Sequence, residues 1–121
     1  IKDLNKEMLE SVNIALNAGI DRDKIIIDPG VGFGKEYIHN ILCLRHLDEF
    51  CKLGYPVLLG TSRKSVIGLT LDLPKDERVE GTLVTTVIAV MNRCMFVRVH
   101  DVKQNYRTIK MTEGIYGRNS N

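Results

Sequence analysis

Three polar runs in the chain have the residue types to bind ligands, and the first is a glycine-rich loop behind an acidic residue. Asp28 and Pro29 are followed by glycines at positions 30, 32 and 34, and glycine lets the backbone approach a ligand closely and adopt positive φ. A carboxylate there could accept two hydrogen bonds from an amino-pyrimidine edge. The same residues also suit an ordinary turn. A Walker phosphate loop is excluded, because Pro29 stands where it needs a glycine and Glu36 where it needs Ser or Thr.

The second run, residues 62–65, places two hydroxyls and two cations at the predicted start of a helix. Unpaired backbone N–H groups at a helix N-terminus favour an anion. The run therefore predicts a site for a carboxylate or a phosphate, and the alternative is an N-capped, solvated helix start. Arg63 and Lys64 oppose the helix dipole in the first turn, which favours the binding site.

The third run is formed by Arg98 and His100, which alternate with Val97 and Val99. On a strand, the two polar side chains share one face and the valines the other. If the polar face is the inside of a barrel, an unpaired inward arginine is costly, and an anionic ligand is expected. Equally, Arg98 could pair with a structural carboxylate and His100 could cap the next helix.

Histidines and cysteines on one predicted helix offer weaker evidence, for a metal site. His39, Cys43 and His46 line one face of a predicted helix, at a spacing that could bind zinc. No fourth ligand is evident and the helix must bury part of that stripe, so no metal site is predicted. Cys43, Cys51 and Cys94 are odd in number and lack CxxC spacing, which predicts reduced thiols packed in the core.

The polar runs lie between segments whose periodicity predicts alternating helices and strands. A first helix is predicted over residues 1–19, and the β-branched run 25–27 predicts a strand buried on both faces. Further strands are predicted at 56–60 and 95–99, and further helices at 41–51, from about 77 to 93, and from Asp101, which suits an N-cap. Residues 114–121 are predicted as a frayed tail. Thr85 to Ile88 are β-branched and weaken the helix prediction, but the length of the segment favours it.

A helix followed by three strand–helix units predicts an α/β fold with right-handed parallel crossovers. Each polar run begins where a strand ends, and ligands bind at the carboxyl ends of parallel strands. A complete (β/α)8 barrel needs about 250 residues. The 121 residues of the chain therefore supply somewhat less than half of one.

Composition narrows the class of protein. The chain is 44% hydrophobic and 26% charged, as in soluble globular proteins. Its net charge of +2 comes from scattered residues and not from the basic stripe that nucleic-acid binding needs. No apolar run approaches the roughly 20 residues of a membrane span, and the first residues lack a signal-peptide core. We therefore expect a cytoplasmic protein that binds neither nucleic acid nor membrane.

Taken together, these runs closely resemble the last three strand–helix units of dihydropteroate synthases, a family of pterin-binding (β/α)8 barrels. The resemblance spans nearly the whole chain. It rests on residues 28–35 with Asn40, residues 60–65, Glu77-Arg78 with Gly81-Thr82, and residues 98–101. It implies that residues 1–121 are the C-terminal part of one barrel domain. Related pterin-dependent methyltransferases share the barrel and the aspartate, but the Ser-Arg-Lys-Ser and Arg-Val-His-Asp runs indicate the synthase branch.

The resemblance implies an activity and a role for each site residue. The synthases join dihydropterin pyrophosphate to p-aminobenzoate in folate biosynthesis, with help from magnesium. By position, Asp28 would bind the amino-pyrimidine edge of the pterin and Lys64 its carbonyl and ring nitrogen. Arg98 and His100 would hold the leaving pyrophosphate, so Lys64, Arg98 and His100 are the implied catalytic residues. Phe33 would flank p-aminobenzoate, Ser65 would meet its carboxylate, and Gly60 and Arg63 would complete the substrate pocket.

The resemblance also implies what these 121 residues lack. The ligand of magnesium, further pterin-binding residues and two mobile loops are expected from the first strands of the barrel. Alone, the chain is expected to be inactive and to associate with that N-terminal half or with another copy. The intact enzyme is expected to be a homodimer that pairs through its last helices. The rival hypothesis is a noncatalytic half-barrel that binds a pterin or an anion.

Overall fold

The computed structural model describes residues 2–32 and 36–117, in which helices and short strands alternate. The helices are α1 (Lys2–Asn17), α2 (Tyr37–Arg45), α3 (Leu47–Cys51), α4 (Ser65–Leu71), α5 (Val79–Met91) and α6 (Val102–Ile115). The strands are β1 (Leu58–Leu59) and β2 (Phe96–Val97), and two 3-10 turns cover Arg22–Lys24 and Lys75–Glu77. None of the described helices is long and apolar enough to cross a bilayer.

Parallel pairing aligns three extended segments. β1 and β2 pair in parallel with Leu58 opposite Phe96, and Ile27 forms a single parallel bridge to Val57. The Leu58 N–H donates to the Ile27 carbonyl at 2.9 Å. The predicted strand at 25–27 is thus reduced to one bridge, although its position beside the next strand and its parallel direction match the prediction.

One face of these segments is covered by helices. Ile27, Val57 and Leu59 are each 2% exposed. Ile27 and Val57 belong to a core cluster with Phe50, while Leu59 belongs to a second cluster with Leu47. Residues two apart on a strand point the same way, so this layer of side chains anchors the three segments to α1, α3 and α5.

The opposite face is open within this chain. Ile26 is 52% exposed and Phe96 is 43% exposed, and the pairing register puts both on the face of Leu58. The expectation that residues 25–27 are buried on both faces is therefore wrong for Ile26. The physical reason is that a strand inside a barrel is buried on both faces only when the opposing strands are present.

The helix predicted over 41–51 is broken in two at His46. The His46 N–H still bonds the Leu42 carbonyl at 3.0 Å, but its φ of −110° and ψ of 27° leave the helical region. Leu47 and Phe50, just beyond the break, are each 1% exposed and belong to the two different core clusters. The short α3 therefore joins the two core clusters. The break between α2 and α3 was not predicted.

The helix over the β-branched segment is present as α5, and the hydroxyls of its threonines are bonded within α5 and to α6. Thr85 Oγ1 donates to the Thr82 carbonyl at 2.7 Å, and Thr86 Oγ1 donates to Asn105 Oδ1 of α6 at 2.6 Å. All three threonines are buried. Tertiary packing and these bonds outweigh the weak helix propensity of threonine.

The closing helix α6 buries polar residues and exposes apolar ones. Asn105 and Thr112 are 1% and 5% exposed. Val102 and Tyr106, two apolar residues in the first half of α6, are 66% and 61% exposed. The helix also continues through Gly114 and Ile115, two residues into the segment predicted as a tail, and residues 118–121 lie outside the described part of the chain.

Gly81 of α5 tests the packing between α4 and α5, and Gly114 of α6 is its control. A Cβ added at Gly81 would lie 2.3 Å from Ile67 Cγ2, whereas one at Gly114 would meet no atom within 4 Å. We expect Gly81→Ala to lower the free energy of unfolding by about 1–3 kcal/mol, because buried Ile67 must move. Gly114→Ala should raise it by up to about 1 kcal/mol through helix propensity. Chemical denaturation of both variants measures this, and a stabilising Gly81→Ala would contradict the close packing.

Candidate functional site

Asp28 lies immediately after the Ile27 bridge, half-buried at the carboxyl end of the sheet. Its Oδ1 accepts a hydrogen bond from the Gly30 N–H at 2.7 Å. Gly30 and Gly32 have φ of 70° and 89°, the left-handed conformations that favour glycine. The residues do form a turn, and Asp28 Oδ2 has no hydrogen-bond partner among the described residues. One oxygen thus holds the loop while the other can accept from a ligand.

Lys64 crosses from the loop after β1 to the loop after Asp28. Its Nζ donates to the Val31 carbonyl at 2.6 Å. Its side chain lies so close to Gly32 that an added Cβ would be 2.9 Å from Lys64 Cδ. The Gly32 N–H in turn donates to the buried Asn40 Oδ1 at 2.9 Å. Lys64 is therefore positioned beside the Asp28 loop, and its contact with a pterin stays a prediction.

Ser62 joins the loop after β1 to the loop after β2. Its Oγ accepts from the His100 backbone N–H at 3.0 Å and lies 2.8 Å from His100 Nδ1. Ser62 is only 7% exposed, while His100 is exposed. The Ser62 hydroxyl therefore contacts the histidine and is not available to an anion at the helix start. The alternative in which His100 caps α6 is wrong, because its ring is bound to Ser62.

The cap position of α6 is held by Asp101, as predicted, but its carboxylate makes no capping bond. Asp101 Oδ1 instead accepts from Arg63 Nη2 at 3.2 Å. Asp101 Oδ2 is buried and has no hydrogen-bond partner among the described residues. The Arg63 guanidinium is thus engaged in an ion pair between two loops, which is a supporting role beside the predicted pocket.

Arg98 extends over Gly60 at the end of β1. A Cβ added at Gly60 would lie 2.9 Å from Arg98 Nη2, so the guanidinium would have to shift if Gly60 were replaced. Arg98 is exposed, and within residues 2–32 and 36–117 no carboxylate forms an ion pair with it. The alternative of a structural carboxylate partner is therefore not supported in the described part of the chain, and the positive charge faces the open side of the sheet.

Two further residues of the predicted pocket, Ser65 and Phe33, gain no ligand contact from the structure. Ser65 is the exposed first residue of α4, and its contact with a carboxylate stays a prediction. Phe33 lies outside the described residues.

The histidine and cysteine pattern does not form a metal site in the described residues. No group of three His, Cys, Asp or Glu side chains lies close enough there to hold a metal. None of the three cysteines forms a disulfide, and Cys51 Sγ lies 3.5 Å from Cys94 Sγ. Burial raises the pKa of the Cys94 thiol well above its usual range, and the neighbouring Cys51 raises it further. Burial also raises the pKa of Cys51. These thiols are protonated and are poor nucleophiles or metal ligands.

Arg78 is the main residue whose role the sequence did not indicate. Its Nη1 donates to the Arg63 carbonyl at 2.9 Å and its Nε to the Leu73 carbonyl at 3.0 Å. Its guanidinium occupies the space where a Cβ on Gly68 would clash. Arg63 has a φ of 57°, which is unfavourable for a residue other than glycine. Arg78 therefore holds the carbonyl of a strained residue between Ser62 and Lys64. The only sequence signal was its place in the Glu77-Arg78 pair of the resemblance.

The arrangement can bind a ligand with two different ends. A carboxylate, Asp28, lies on one side and suits N–H groups, while Lys64, Arg98 and His100 suit carbonyl or anionic oxygens. The Ser62 hydroxyl contacts His100 Nδ1, but Ser62 is only 7% exposed, so its oxygen is not presented to a ligand as a nucleophile. The site is suited to stabilising a leaving anion by fixed positive groups.

Comparison with known proteins agrees with this geometry. Residues 1–100 match the model of the pterin binding enzyme family. The dihydropteroate synthase of Clostridium beijerinckii is 52% identical over 119 residues, which cover 98% of this chain and 44% of that protein.

Solved structures give the same result. A Yersinia pestis structure with a pterine-sulfa conjugate superposes with a TM-score of 0.92 at 37% identity, over 96% of this chain and 45% of that one. A Coxiella burnetii dihydropteroate synthase in complex with pteroic acid has a TM-score of 0.91 at 39% identity, over 96% and 43%. The chain thus spans less than half the length of these relatives. The prediction that it is a portion of a (β/α)8 barrel, about its last three strand–helix units, is confirmed.

The Arg78 contacts generate a prediction about the loop between β1 and α4. Arg78→Lys cannot keep both carbonyl bonds, because an ammonium lacks the planar fork of donors. We expect the free energy of unfolding to fall by about 1.5–3 kcal/mol, the range for hydrogen bonds to a charged group. Arg107→Lys, at an exposed position on α6, is the matched control and should change it by less than about 0.5 kcal/mol. Equal effects in denaturant titrations would show that Arg78 does not support the loop.

Proposed function

Because the chain belongs to the family of pterin-binding enzymes, we propose that it is the C-terminal part of a dihydropteroate synthase. In this reaction the bond between the pterin methylene carbon and the pyrophosphate oxygen breaks, and pyrophosphate leaves with the electron pair. The amine nitrogen of p-aminobenzoate bonds to that carbon and loses a proton. The carrying observation is that Asp28, Lys64, Arg98 and His100 all follow parallel segments at one end of the sheet, where Lys64 bonds the loop after Asp28 and His100 bonds Ser62.

The pterin binds between Asp28 and Lys64 in this proposal. Asp28 Oδ2 accepts from the amino-pyrimidine edge while Oδ1 keeps its bond to the Gly30 N–H. Lys64 Nζ lies beside the Asp28 loop through its bond to the Val31 carbonyl, and it donates to the ring carbonyl and a ring nitrogen of the pterin in this proposal. The names of the Clostridium beijerinckii and Coxiella burnetii relatives support this choice of substrate.

The leaving pyrophosphate binds to Arg98 and His100. An arginine fork gives paired, charge-assisted bonds to phosphate oxygens, and Arg98 is exposed beside Gly60, which supports this role. These groups stabilise charge that develops as the bond breaks. Ser65 and Phe33 are proposed to contact p-aminobenzoate.

Magnesium is proposed to be bound by the part of the barrel that this chain lacks. Within the described residues no cluster of His, Cys, Asp or Glu could hold a metal, so none of them is assigned as its ligand.

The open face that carries Ile26 and Phe96 is proposed to be covered by the N-terminal strands, since apolar surface of this kind favours association. The reaction is proposed to take place in the cytoplasm, where thiols such as Cys51 and Cys94 stay reduced.

A chimeric enzyme tests the proposal directly. The segment of the Clostridium beijerinckii synthase that matches this chain is replaced by the chain itself, giving what is called the chimera below. We expect the chimera to form dihydropteroate and pyrophosphate from the two substrates, and the isolated chain to form neither. A folded chimera without turnover would contradict the proposal and favour the noncatalytic half-barrel.

Asp28→Asn in the chimera tests the pterin side of the site. An amide cannot accept hydrogen bonds at both terminal atoms, and one end would face the pterin or Gly30 with a donor. We expect pterin affinity by calorimetry to fall by about 1.5–3 kcal/mol, with the fold intact by circular dichroism. Asp23→Asn, in the exposed Arg22–Lys24 turn, is the control. Unchanged pterin binding in Asp28→Asn would remove Asp28 from the site.

We also propose that the intact enzyme is a homodimer that pairs through α5 and α6. Met111 and Ile115 on α6 are 67% and 68% exposed and line an apolar groove of about 480 Å³ with Val87 and Met91 of α5. Sedimentation of the chimera should give a dimer at micromolar concentration. Met111→Glu places a charge in the groove and should shift the chimera towards monomer. Lys110→Glu is the control, because it changes the charge of α6 outside the groove, and it should leave the dimer in place. A monomeric chimera would contradict the dimer.

A further inference from the structure

The hydrogen bond between Ser62 and His100 determines which ring nitrogen of His100 carries the proton. Ser62 Oγ contacts two atoms of His100, the backbone N–H at 3.0 Å and the ring Nδ1 at 2.8 Å. A serine hydroxyl has one hydrogen to donate and two lone pairs to accept with. The backbone N–H can only donate, so it uses one lone pair. The hydroxyl hydrogen must then be placed somewhere else.

The Nδ1 atom is the one acceptor available to that hydrogen in the described part of the chain. Ser62 is 7% exposed, and beyond His100 its hydroxyl has no hydrogen-bond partner among the described residues. If Nδ1 carried a proton and donated to Oγ, the hydroxyl hydrogen would be buried without an acceptor. Leaving a buried donor unsatisfied costs more than a typical hydrogen bond contributes. The network is fully satisfied only when Oγ donates to an unprotonated Nδ1.

We infer that Ser62 is a positioning residue that holds neutral His100 in the tautomer protonated at Nε2. The proton then lies on the nitrogen that Ser62 does not contact, and the ring is turned so that Nε2–H is a hydrogen-bond donor on the exposed side of His100. The tautomer of a histidine is set by the bond its other nitrogen makes, and here that bond comes from a buried hydroxyl. The role in catalysis rests on the proposed function, in which Nε2–H donates to an oxygen of the leaving pyrophosphate.

The arrangement also restricts the ring in space. The two contacts come from one Oγ atom to the backbone and the ring of the same residue, so they fix His100 relative to the end of β1. Arg98 lies on the same side, above Gly60. A guanidinium and an oriented N–H group that are held before the ligand arrives need little reorganisation to stabilise the developing anion.

Nitrogen NMR of the chimera with 15N-labelled histidine tests the tautomer without reference to activity. Spectra are recorded at about pH 9, where an imidazole of ordinary pKa is neutral, and His100→Gln assigns the His100 signals. We expect both ring nitrogens of His100 to show the shifts of a pure Nε2–H form. Exposed His39 should show the averaged shifts of an unconstrained ring. Shifts of an Nδ1–H form, or averaged shifts at His100, would overturn the inference.

Two variants separate positioning from simple loss of structure. Ser62→Ala should give averaged His100 shifts, and Ser62→Thr should restore the pure tautomer because it keeps the hydroxyl. Ser11→Ala, at an exposed site on α1, should leave the spectrum unchanged. If Ser62→Ala keeps both its fold, seen in unchanged amide shifts elsewhere, and the pure tautomer, Ser62 does not set the tautomer. If it fails to fold, the wild-type and Ser62→Thr spectra still decide.

Product inhibition connects the tautomer to the reaction. Inorganic pyrophosphate should inhibit the Ser62→Ala chimera about three- to tenfold more weakly than the parent, the range of one net hydrogen bond. The affinity for a pterin without phosphates should stay unchanged, and Ser62→Thr should recover most of the inhibition. A pure Nε2–H tautomer in a chimera that binds no pyrophosphate would contradict the proposed function and leave the tautomer assignment standing. Unchanged inhibition in Ser62→Ala would overturn the catalytic part of the inference.

Discussion

The parallel pairing of Ile27 with Val57 and of β1 with β2 is the constraint on which the site depends. Parallel strands end at one edge of a sheet, so the residues that follow them become neighbours although they lie far apart in the sequence. Asp28, Lys64 and His100 lie at the same edge of the sheet for this reason. The pairing involves few residues, and its stability comes mainly from the helices packed behind it.

Side chains alternate along each strand, so one face of the sheet packs against the helices and the other carries the site. Ile27, Val57 and Leu59 are buried against the helices and supply the apolar burial that stabilises the fold. The neighbouring positions point away from the helices, and from them Arg98 reaches over Gly60 towards the site. The open face is a cost in this chain alone, because exposed apolar groups such as Phe96 favour association. The same face is where a barrel places its interior and its ligands.

Polar contacts between loops make the site specific in its geometry. Lys64 connects to the Val31 carbonyl, Ser62 to His100, and Arg63 to Asp101. Arg63 has a positive φ, a conformation that costs free energy and persists only where neighbours hold it. The Arg78 bond to its carbonyl is one such support. Strain at the centre of a functional loop is thus offset by a residue that lies outside the ligand site.

The amino-acid sequence by itself determined the order of the elements, the α/β class and the three runs that form the site. These follow from local rules, because apolar periodicity distinguishes helix from strand and polar residues at strand ends belong to one edge. It also indicated that α5 is a helix, since length outweighed the β-branched residues. Only the tertiary structure decided which partner each polar group takes. Ser62 contacts His100, Asp101 bonds Arg63 and not a helix end, and Ile26 is 52% exposed. These outcomes depend on contacts between residues tens of positions apart, which local spacing does not encode.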